Sequence, residues 1–201
     1  MFPRLCRLVT IPYTFVVLLP SQLKMIHESG IEITLVSSPG AELEAIQGQL
    51  GVRGVGILMA RQPSPINDLK SLIALTKFFH REKFDIVHSS TPKAGLLTAI
   101  AGWLAGVPIR IHTFTGQIWV EMTGLARILM RGIDWLIGIL STHTYADSFS
   151  QRDLLIKEGL VAPHKIDVIA NGSISGVDLA RFDPHGYVAS RSEIRRQLHI
   201  P

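Results

Sequence analysis

The sequence predicts an α/β fold, namely a Rossmann-like, doubly wound parallel sheet in a single domain. Short apolar runs alternate with longer helical segments along most of the chain, which is typical of a sheet whose strands are joined by helices. The run at residues 84–87 is apolar throughout, as in strands that are buried on both faces. Of the 201 residues, 47% are hydrophobic, so the chain can bury one substantial core.

Seven strands are predicted from the short apolar runs, at residues 5–11, 31–36, 52–58, 84–87, 107–113, 142–146 and 165–169. The first strand leads into Pro12-Tyr13-Thr14, and the second leads into Ser37-Ser38-Pro39-Gly40. Both sequences contain a proline and directly follow a predicted strand, so they are predicted to be exit loops.

The intervening segments predict helices at residues 15–28, 42–50, 66–80, 92–105, 119–140 and 191–198. Ser29-Gly30 is a typical end for the first of them, and Ser64-Pro65 is a typical start for the third. Ser150-x-x-Asp153 resembles a capping box for one further helix. Residues 171–183 show little periodicity and are predicted to form a linker.

The composition limits which binding partners and which cellular location fit the chain. The net charge of +4 fits an anionic membrane surface, phosphorylated substrates or nucleic acid. Nucleic acid is disfavoured, because the basic residues are scattered and no pattern of stacking aromatics accompanies them. The single cysteine, Cys6, cannot form an internal disulfide, which favours a reducing, cytoplasmic setting. The apolar stretch 94–109 contains Pro108 and is too short to span a bilayer.

The motifs of several common α/β enzymes are missing from the sequence. The first strand-to-helix turn has no G-x-G-x-x-G, and Ser37-Ser38 stands where a dinucleotide site needs an acidic residue. Neither a Walker A sequence nor a Gly-x-Ser-x-Gly elbow occurs. His88 and His112 end neighbouring predicted strands, but no carboxylate or cysteine completes a metal site, so a metal is not expected.

The stretch 85–95 carries the clearest functional signal. A buried strand ends at Val87, Ser90 or Thr91 offers a capping oxygen, and Pro92 suits the first helical position. Lys93 opposes the helix dipole in that first turn, so a ligand is expected to favour it there. Free amides and an ammonium group form a good anion site, whereas the alternative interpretation is a solvated lysine.

Three blocks of sequence, in this order, resemble the N-terminal domain of family-4 glycosyltransferases that build lipopolysaccharide, capsule and other surface polysaccharides. Their most specific parts are Thr91-Pro92-Lys93-Ala94-Gly95, then Gly106-Val107-Pro108-Ile109-Arg110-Ile111-His112-Thr113-x-x-Gly116, then Asn171-Gly172-Ser173-x-x-Gly176-Val177-Asp178-x-x-Arg181-Phe182. The resemblance covers nearly the whole chain. A sugar-nucleotide epimerase of similar build is a weaker alternative, because the first block argues against it.

The resemblance implies a retaining enzyme with two Rossmann-like domains. Residues 1–170 would be the acceptor-side domain, residues 171–184 an interdomain linker, and residues 185–201 the lead-in to a C-terminal donor-binding domain that is present in cis or in trans. It implies a UDP- or GDP-sugar as donor substrate, a lipid-linked or saccharide acceptor, and no cofactor or metal. The chain alone is then expected to be inactive. The alternative is a non-catalytic, acceptor-recruiting subunit of a split glycosyltransferase.

The resemblance also carries candidate residues over to this sequence. The candidate catalytic residues are His88 and Thr115, although Thr115 stands where many relatives have a histidine and cannot act as a base near neutral pH. The candidate substrate-binding residues are Thr14, Ser90, Thr91, Lys93, Thr113, Gly116, Ser148 and Asn171. Two of these have simpler interpretations, since Ser148 suits a helix cap and Asn171 suits a turn.

The predicted helix at residues 119–140 raises the question of a membrane surface. Its apolar side would carry Trp119, Met122, Leu125, Leu129 and Leu136. Amphipathicity alone favours a helix packed on the sheet, whereas a lipid-linked acceptor would favour docking on anionic lipid. The expected location is cytoplasmic, and a lipid-linked acceptor would add peripheral attachment to the inner face of the cell membrane.

Overall fold

The computed structural model describes residues 2–176, 179, 182 and 188–200. Within these ranges the chain forms one seven-stranded sheet in the order β3-β2-β1-β4-β5-β6-β7, and every pair of neighbouring strands is parallel. The strands are β1 Arg4–Leu8, β2 Glu32–Ser37, β3 Arg53–Gly56, β4 Ile86–Ser89, β5 Ile109–Phe114, β6 His143–Ala146 and β7 Ile166–Asp167. This arrangement confirms the predicted doubly wound α/β fold.

Helices cover the sheet on both faces. In chain order they are α1 Tyr13–Val17, α2 Pro20–Glu28, α3 Ala41–Leu50, α4 Pro65–Glu82, α5 Pro92–Leu104, α6 Gly124–Leu140, α7 Phe149–Lys157 and α8 Val188–Gln197. Alternate residues of β1 point to opposite faces of the sheet. Leu5 and Val9 accordingly pack with α1, α2 and α3, whereas Cys6 and Leu8 pack with α4 and α5. Residues of α6 and α7 extend the second layer over β5 and β6.

The prediction of one continuous helix at residues 15–28 is wrong, because the structure has two helices there. Pro20 has no backbone N–H and cannot lie inside a continuous helix without breaking it. The chain therefore ends α1 at Val17 and begins α2 with Pro20 as its first residue. The break places Leu19 in the core while Gln22 lies near the carboxyl end of the sheet, where it contacts Arg7.

The predicted helix at residues 119–140 also starts later than expected. Ile118–Val120 is a short 3-10 turn, and α6 begins only at Gly124, whose φ of +63° suits glycine. The prediction that Trp119 and Met122 lie on the apolar side of this helix is therefore wrong, because both residues precede it. The Trp119 side chain is buried, and its indole Nε1 donates to Asp134 Oδ2 at 2.7 Å.

The predicted capping box at Ser150 and Asp153 is displaced by two residues. Ser148 is the N-cap of α7, and its hydroxyl accepts a hydrogen bond from Gln151 N at 3.2 Å. This confirms the simpler interpretation of Ser148 as a helix cap. Parts of the predicted linker, namely residues 177, 178, 180, 181, 183 and 184, lie outside the described residues, as do residues 185–187 of the predicted lead-in, so both stay predictions. Every helix in the described ranges is too short or too polar to cross a membrane.

Candidate functional site

The carboxyl ends of β1 and β4 form the point where the chain changes direction across the sheet. The chain leaves β1 toward α1 on one face and leaves β4 toward α5 on the other face. The two exit loops therefore diverge and leave a crevice, which is where ligands bind in open α/β sheets. Thr10 and Thr91 join the loops, because their hydroxyl oxygens lie 2.7 Å apart and Thr10 N also donates to Thr91 Oγ1 at 3.1 Å.

A buried arginine lies beneath this crevice. Arg7 is fully buried within β1, and its guanidinium donates to the carbonyl of His88 at 3.0 Å, to the hydroxyl of Ser90 and to Gln22 Oε1. No described carboxylate pairs with it, and its Nε lacks a partner among the described residues. Burial lowers the pKa of Arg7 to about 9, so it remains charged at neutral pH. The floor of the crevice therefore carries a buried positive charge.

His88 and Thr113 lie side by side on β4 and β5. His88 Nε2 is 2.8 Å from Thr113 Oγ1. Burial, together with the charge of Arg7, holds the pKa of His88 well below its usual value. His88 is consequently neutral at physiological pH and presents a ring nitrogen and a hydroxyl neighbour, not a positive charge. The structure thus brings together one predicted catalytic residue and one predicted substrate-binding residue.

These two side chains line a small cavity of about 110 Å³ that opens on the carboxyl edge of the sheet. Its walls come from α2, from the ends of β4, β5 and β6, and from the loop after β7. The lining residues are Gln22, His88, Thr113, Tyr145, Ala146, Asp147, Ile169, Gly172, Ser173 and Ile174. The cavity combines neutral hydrogen-bonding groups, one carboxylate and an aromatic ring, a mixture that suits hydroxylated ligands.

Lys93 lies in the first turn of α5, as the sequence predicts, and Pro92 occupies the first helical position. Its ammonium group is already engaged, since Nζ donates to Asp68 Oδ1 at 2.7 Å and to the carbonyl of Gln62 at 2.6 Å. The lysine therefore joins α5 to the start of α4. Its role as an anion contact stays a prediction, and any anion would share it with Asp68.

None of the remaining candidates is among the residues that line the cavity. Ser90 is buried, and its hydroxyl accepts a hydrogen bond from Arg7. Thr91 is the N-cap residue of α5, but its hydroxyl forms a hydrogen bond with Thr10. Thr115 is an exposed residue, and its hydroxyl donates to the carbonyl of Ser90 at 3.3 Å. Thr14 is a buried residue of α1, and Gly116 is a glycine with φ of +135°. Ser148 is a helix cap, and Asn171 is an exposed turn residue. Their functional roles stay predictions.

His112 serves the packing of the other face of the sheet. It is the register partner of Ser89, whose hydroxyl lies 2.9 Å from His112 Nδ1, whereas His88 points to the opposite face. A Cβ atom at Gly95 would collide with the His112 ring, so glycine allows α5 to approach β5 closely. His88 and His112 therefore cannot share a metal. In the part of the chain that the structure describes, no group of three or more His, Cys, Asp or Glu side chains could hold a metal ion.

Sequence reasoning missed three residues of this region, Gln22, Arg7 and Asp147. Arg7 had a usable signal, because an arginine inside an apolar strand must find buried hydrogen-bond acceptors. Asp147 directly follows β6 and so had to lie at the carboxyl edge of the sheet. Gln22 had no such signal, since its position depends on the break between α1 and α2.

The fold and the crevice define a Rossmann-like domain of the kind whose ligands bind at the carboxyl edge of a parallel sheet. The sequence matches the family described as "Glycosyl transferase 4-like domain" over residues 20–172. The chain belongs to this family of glycosyltransferases, which confirms the resemblance seen in the sequence.

Individual relatives agree with this assignment. The chain is 31% identical, over 82% of its length, to the capsular polysaccharide biosynthesis glycosyltransferase CapM of Staphylococcus aureus. It is 36% identical, over 63% of its length, to the UDP-Gal:alpha-D-GlcNAc-diphosphoundecaprenol alpha-1,3-galactosyltransferase of Escherichia coli. Its fold is similar to that of Anabaena HepE, solved with UDP and glucose, with a TM-score of 0.68 at 16% identity over 98% of this chain. The chain spans 43%, 32% and 50% of these three proteins, respectively.

Proposed function

We propose that this chain is the acceptor-side domain of a retaining glycosyltransferase that extends a surface polysaccharide, and that its acceptor is a sugar carried on a lipid diphosphate. The observation that carries the proposal is the crevice between the exits of β1 and β4, with the hydroxyl-lined cavity beside it. The family assignment and the name of the Escherichia coli relative support a lipid-diphosphate acceptor. We propose the same class of acceptor here.

The donor in this proposal is a UDP- or GDP-sugar held by a second domain, in the same chain or in a separate one. The relatives are each about twice as long as this chain, which supports a second domain. The name of one relative contains UDP-Gal, and HepE was solved with UDP. Division of the substrates between two domains would leave the acceptor in the crevice described above.

Retaining transfer on one face of the sugar makes modest demands on this domain. The bond from the anomeric carbon to the donor diphosphate breaks, the bond to the acceptor oxygen forms on the same face, and the acceptor proton passes to the departing phosphate. The protein must supply positive charge near the phosphates and must orient the acceptor hydroxyl. We assign the charge to Lys93, with Arg7 contributing from beneath, and orientation to His88, Thr113 and Thr115. Neutral His88 is suited to this role because it can accept or donate a hydrogen bond.

A lipid-linked acceptor requires the enzyme to work at a membrane surface, and α6 offers a suitable face. One side of this helix packs on the core through Asp134, Ile137 and Gly138. The opposite side exposes an apolar stripe, which we call the α6 stripe: Leu125, Ile128, Leu129, Trp135 and Ile139. Leu125 is 84% exposed. Apolar residues of this kind on an exposed helix favour shallow insertion into a lipid surface. We propose peripheral attachment through this stripe at the cytoplasmic face of the membrane.

Sugar transfer tests the proposal. The chain is incubated with UDP-galactose or UDP-glucose and with GlcNAc joined through a diphosphate to a lipid, and the product is analysed by mass spectrometry and NMR. We expect no transfer by the chain alone and transfer once a donor-binding partner domain is supplied, with the anomeric configuration of the donor kept in the product. Transfer by the chain alone would contradict the division of substrates, and an inverted product would contradict retention. Failure to bind the acceptor would contradict the assignment altogether.

A further inference from the structure

Asp147 is a carboxylate without a partner inside the candidate site. It follows β6 directly, lines the cavity described above and is only partly exposed. The described hydrogen bonds of Asp147 involve only its backbone, and among the described residues no cation pairs with its carboxylate. Burial raises the pKa of this carboxyl. A partly buried carboxylate of this kind costs stability, which a function in ligand binding would explain.

The backbone of Asp147 is fixed on both sides, so the carboxylate has a defined position. Its N–H donates to Gln151 Oε1 at 2.6 Å, and its carbonyl accepts from Ser173 N at 2.8 Å. Gly172 passes so close that a Cβ atom there would collide with the Asp147 carbonyl. With a φ of +92°, Gly172 also adopts a conformation that favours glycine. The loop after β7 is therefore held against Asp147 while the carboxylate remains free.

The surroundings of the carboxylate define which ligand would suit it. An ionised carboxylate only accepts hydrogen bonds, so its partner must be a donor. Among the other polar residues that line the cavity, Gln22, His88 and Thr113 are neutral, and the buried guanidinium of Arg7 donates to Ser90, Gln22 and the His88 carbonyl. A cavity of about 110 Å³ is small, so it suits a single hydroxyl or hydroxymethyl group of a ligand.

We propose that Asp147 binds one hydroxyl or hydroxymethyl group of the acceptor sugar and thereby selects which sugar is extended. The inference deepens the proposed function and rests on it. The hydroxyl donates to the carboxylate, while Thr113 and Gln22 supply the second hydrogen bond that a hydroxyl group accepts. Sugars that lack this group, or present it with the other configuration, leave the carboxylate partly desolvated and unpaired, which costs binding energy.

The experiment is a binding series that combines protein variants with altered sugars. Isothermal titration measures the affinity of the wild-type chain, Asp147→Asn and Asp147→Ala for GlcNAc linked through a diphosphate to a short lipid, and for its 3-, 4- and 6-deoxy forms. Asp153→Asn is the matched control, because this exposed carboxylate lies on α7 and pairs with Arg152 outside the cavity. Circular dichroism checks that every variant folds.

We expect Asp147→Ala to weaken binding about 10- to 100-fold, as for loss of a hydrogen bond to a charged group, and Asp147→Asn to weaken it less. One of the deoxy sugars should bind the wild-type chain more weakly by a similar factor. The Asp147→Ala variant should bind that deoxy sugar and the unaltered sugar with the same affinity. If both variants bind the acceptor as tightly as the wild-type chain does, this inference is overturned and the proposed function stands. Absence of wild-type binding would overturn the proposed function itself.

Discussion

Lys93 Nζ lies 2.7 Å from Asp68 Oδ1, so the cation in the first turn of α5 is paired with a carboxylate in the first turn of α4. Both side chains are largely buried, at 16% and 26% exposure, which strengthens their attraction relative to a surface pair. Asp68 also accepts a hydrogen bond from Ser64 N at 3.0 Å and so organises the start of its own helix. A phosphate at this position must therefore compete with Asp68 for the lysine.

The first prediction separates an anion contact from a purely structural lysine. Lys93→Met should weaken binding of the lipid-diphosphate acceptor, whereas Asp68→Asn should strengthen it, because the substitution frees the ammonium group while the amide oxygen can still accept from Ser64 N. Each change should be about 3- to 30-fold in Kd, measured by titration. Lys70→Met, at an exposed position on α4, is the matched control. Weaker binding after both substitutions would show that the pair acts only through structure.

The second prediction concerns stability against pH. Burial, with a contribution from Arg7, lowers the pKa of His112 to about 3, whereas an unfolded histidine titrates near 6.5. Between these values the unfolded chain binds a proton that the folded chain does not. His112 therefore lowers the free energy of unfolding by about 1.4 kcal/mol for each pH unit below 6.5. The stability of His112→Asn should accordingly fall less steeply between pH 6.5 and pH 5.

Urea unfolding at several pH values measures this slope, and His80→Asn at an exposed position of α4 is the control. Burial raises the pKa of Asp134 to about 6, which makes an opposite contribution to the slope in every variant. The comparison between variants removes that shared contribution. An identical slope for the wild type and His112→Asn would contradict the neutral, buried state of His112.

The third prediction concerns the contact between Trp119 and Asp134. Asp134→Ala should lower the free energy of unfolding by about 1–3 kcal/mol, because the buried indole N–H loses its acceptor. Asp134→Asn keeps an acceptor oxygen and should cost less. The indole fluorescence of Trp119, recorded in a Trp103→Phe, Trp135→Phe background, should shift to longer wavelength in Asp134→Ala only. No shift and no loss of stability would contradict the anchoring of residues 118–122 to α6.

The fourth prediction tests the α6 stripe at a membrane. Leu129→Glu should weaken binding to vesicles that contain phosphatidylglycerol at least about tenfold, because one exposed leucine no longer enters the lipid. Met25→Glu is the matched control, since Met25 is at least as exposed as Leu129 but lies on α2 in the opposite helical layer. Cosedimentation measures the bound fraction. Equal losses in the two variants, or no loss in either, would contradict attachment through the α6 stripe.

The sequence was sufficient for the fold because its signals are local. The apolar runs define the seven strands, and their alternation with helices leaves few arrangements other than a parallel sheet. Pro92 at the start of α5 was predicted on the same kind of evidence. The break at Pro20 was missed although proline excludes a continuous helix, because the apolar pattern continues across it. The cap of α7 was displaced because Ser148 and Ser150 are both good capping residues, and only packing chooses between them.

The candidate site was less predictable because it depends on contacts between distant parts of the chain. Lys93 was correctly predicted to lie in the first turn of α5, but its pairing with Asp68 joins two helices whose relative position no local pattern fixes. The same is true of Arg7 and Ser90, which are 83 residues apart in sequence and meet only because β1 lies beside β4. Asp147 lines the cavity only because the loop after β7 packs against it, and that contact is not visible in the local sequence.

The measurement that tests the central claim most directly is a comparison of two ligands on the wild-type chain. Isothermal titration with GlcNAc on a lipid diphosphate and, separately, with UDP-galactose and UDP-glucose shows which substrate this domain holds. We predict binding of the lipid-linked sugar, weakened by Lys93→Met, and at least about tenfold weaker binding of either nucleotide sugar. Tighter binding of a nucleotide sugar than of the lipid-linked sugar would contradict the assignment of this domain to the acceptor.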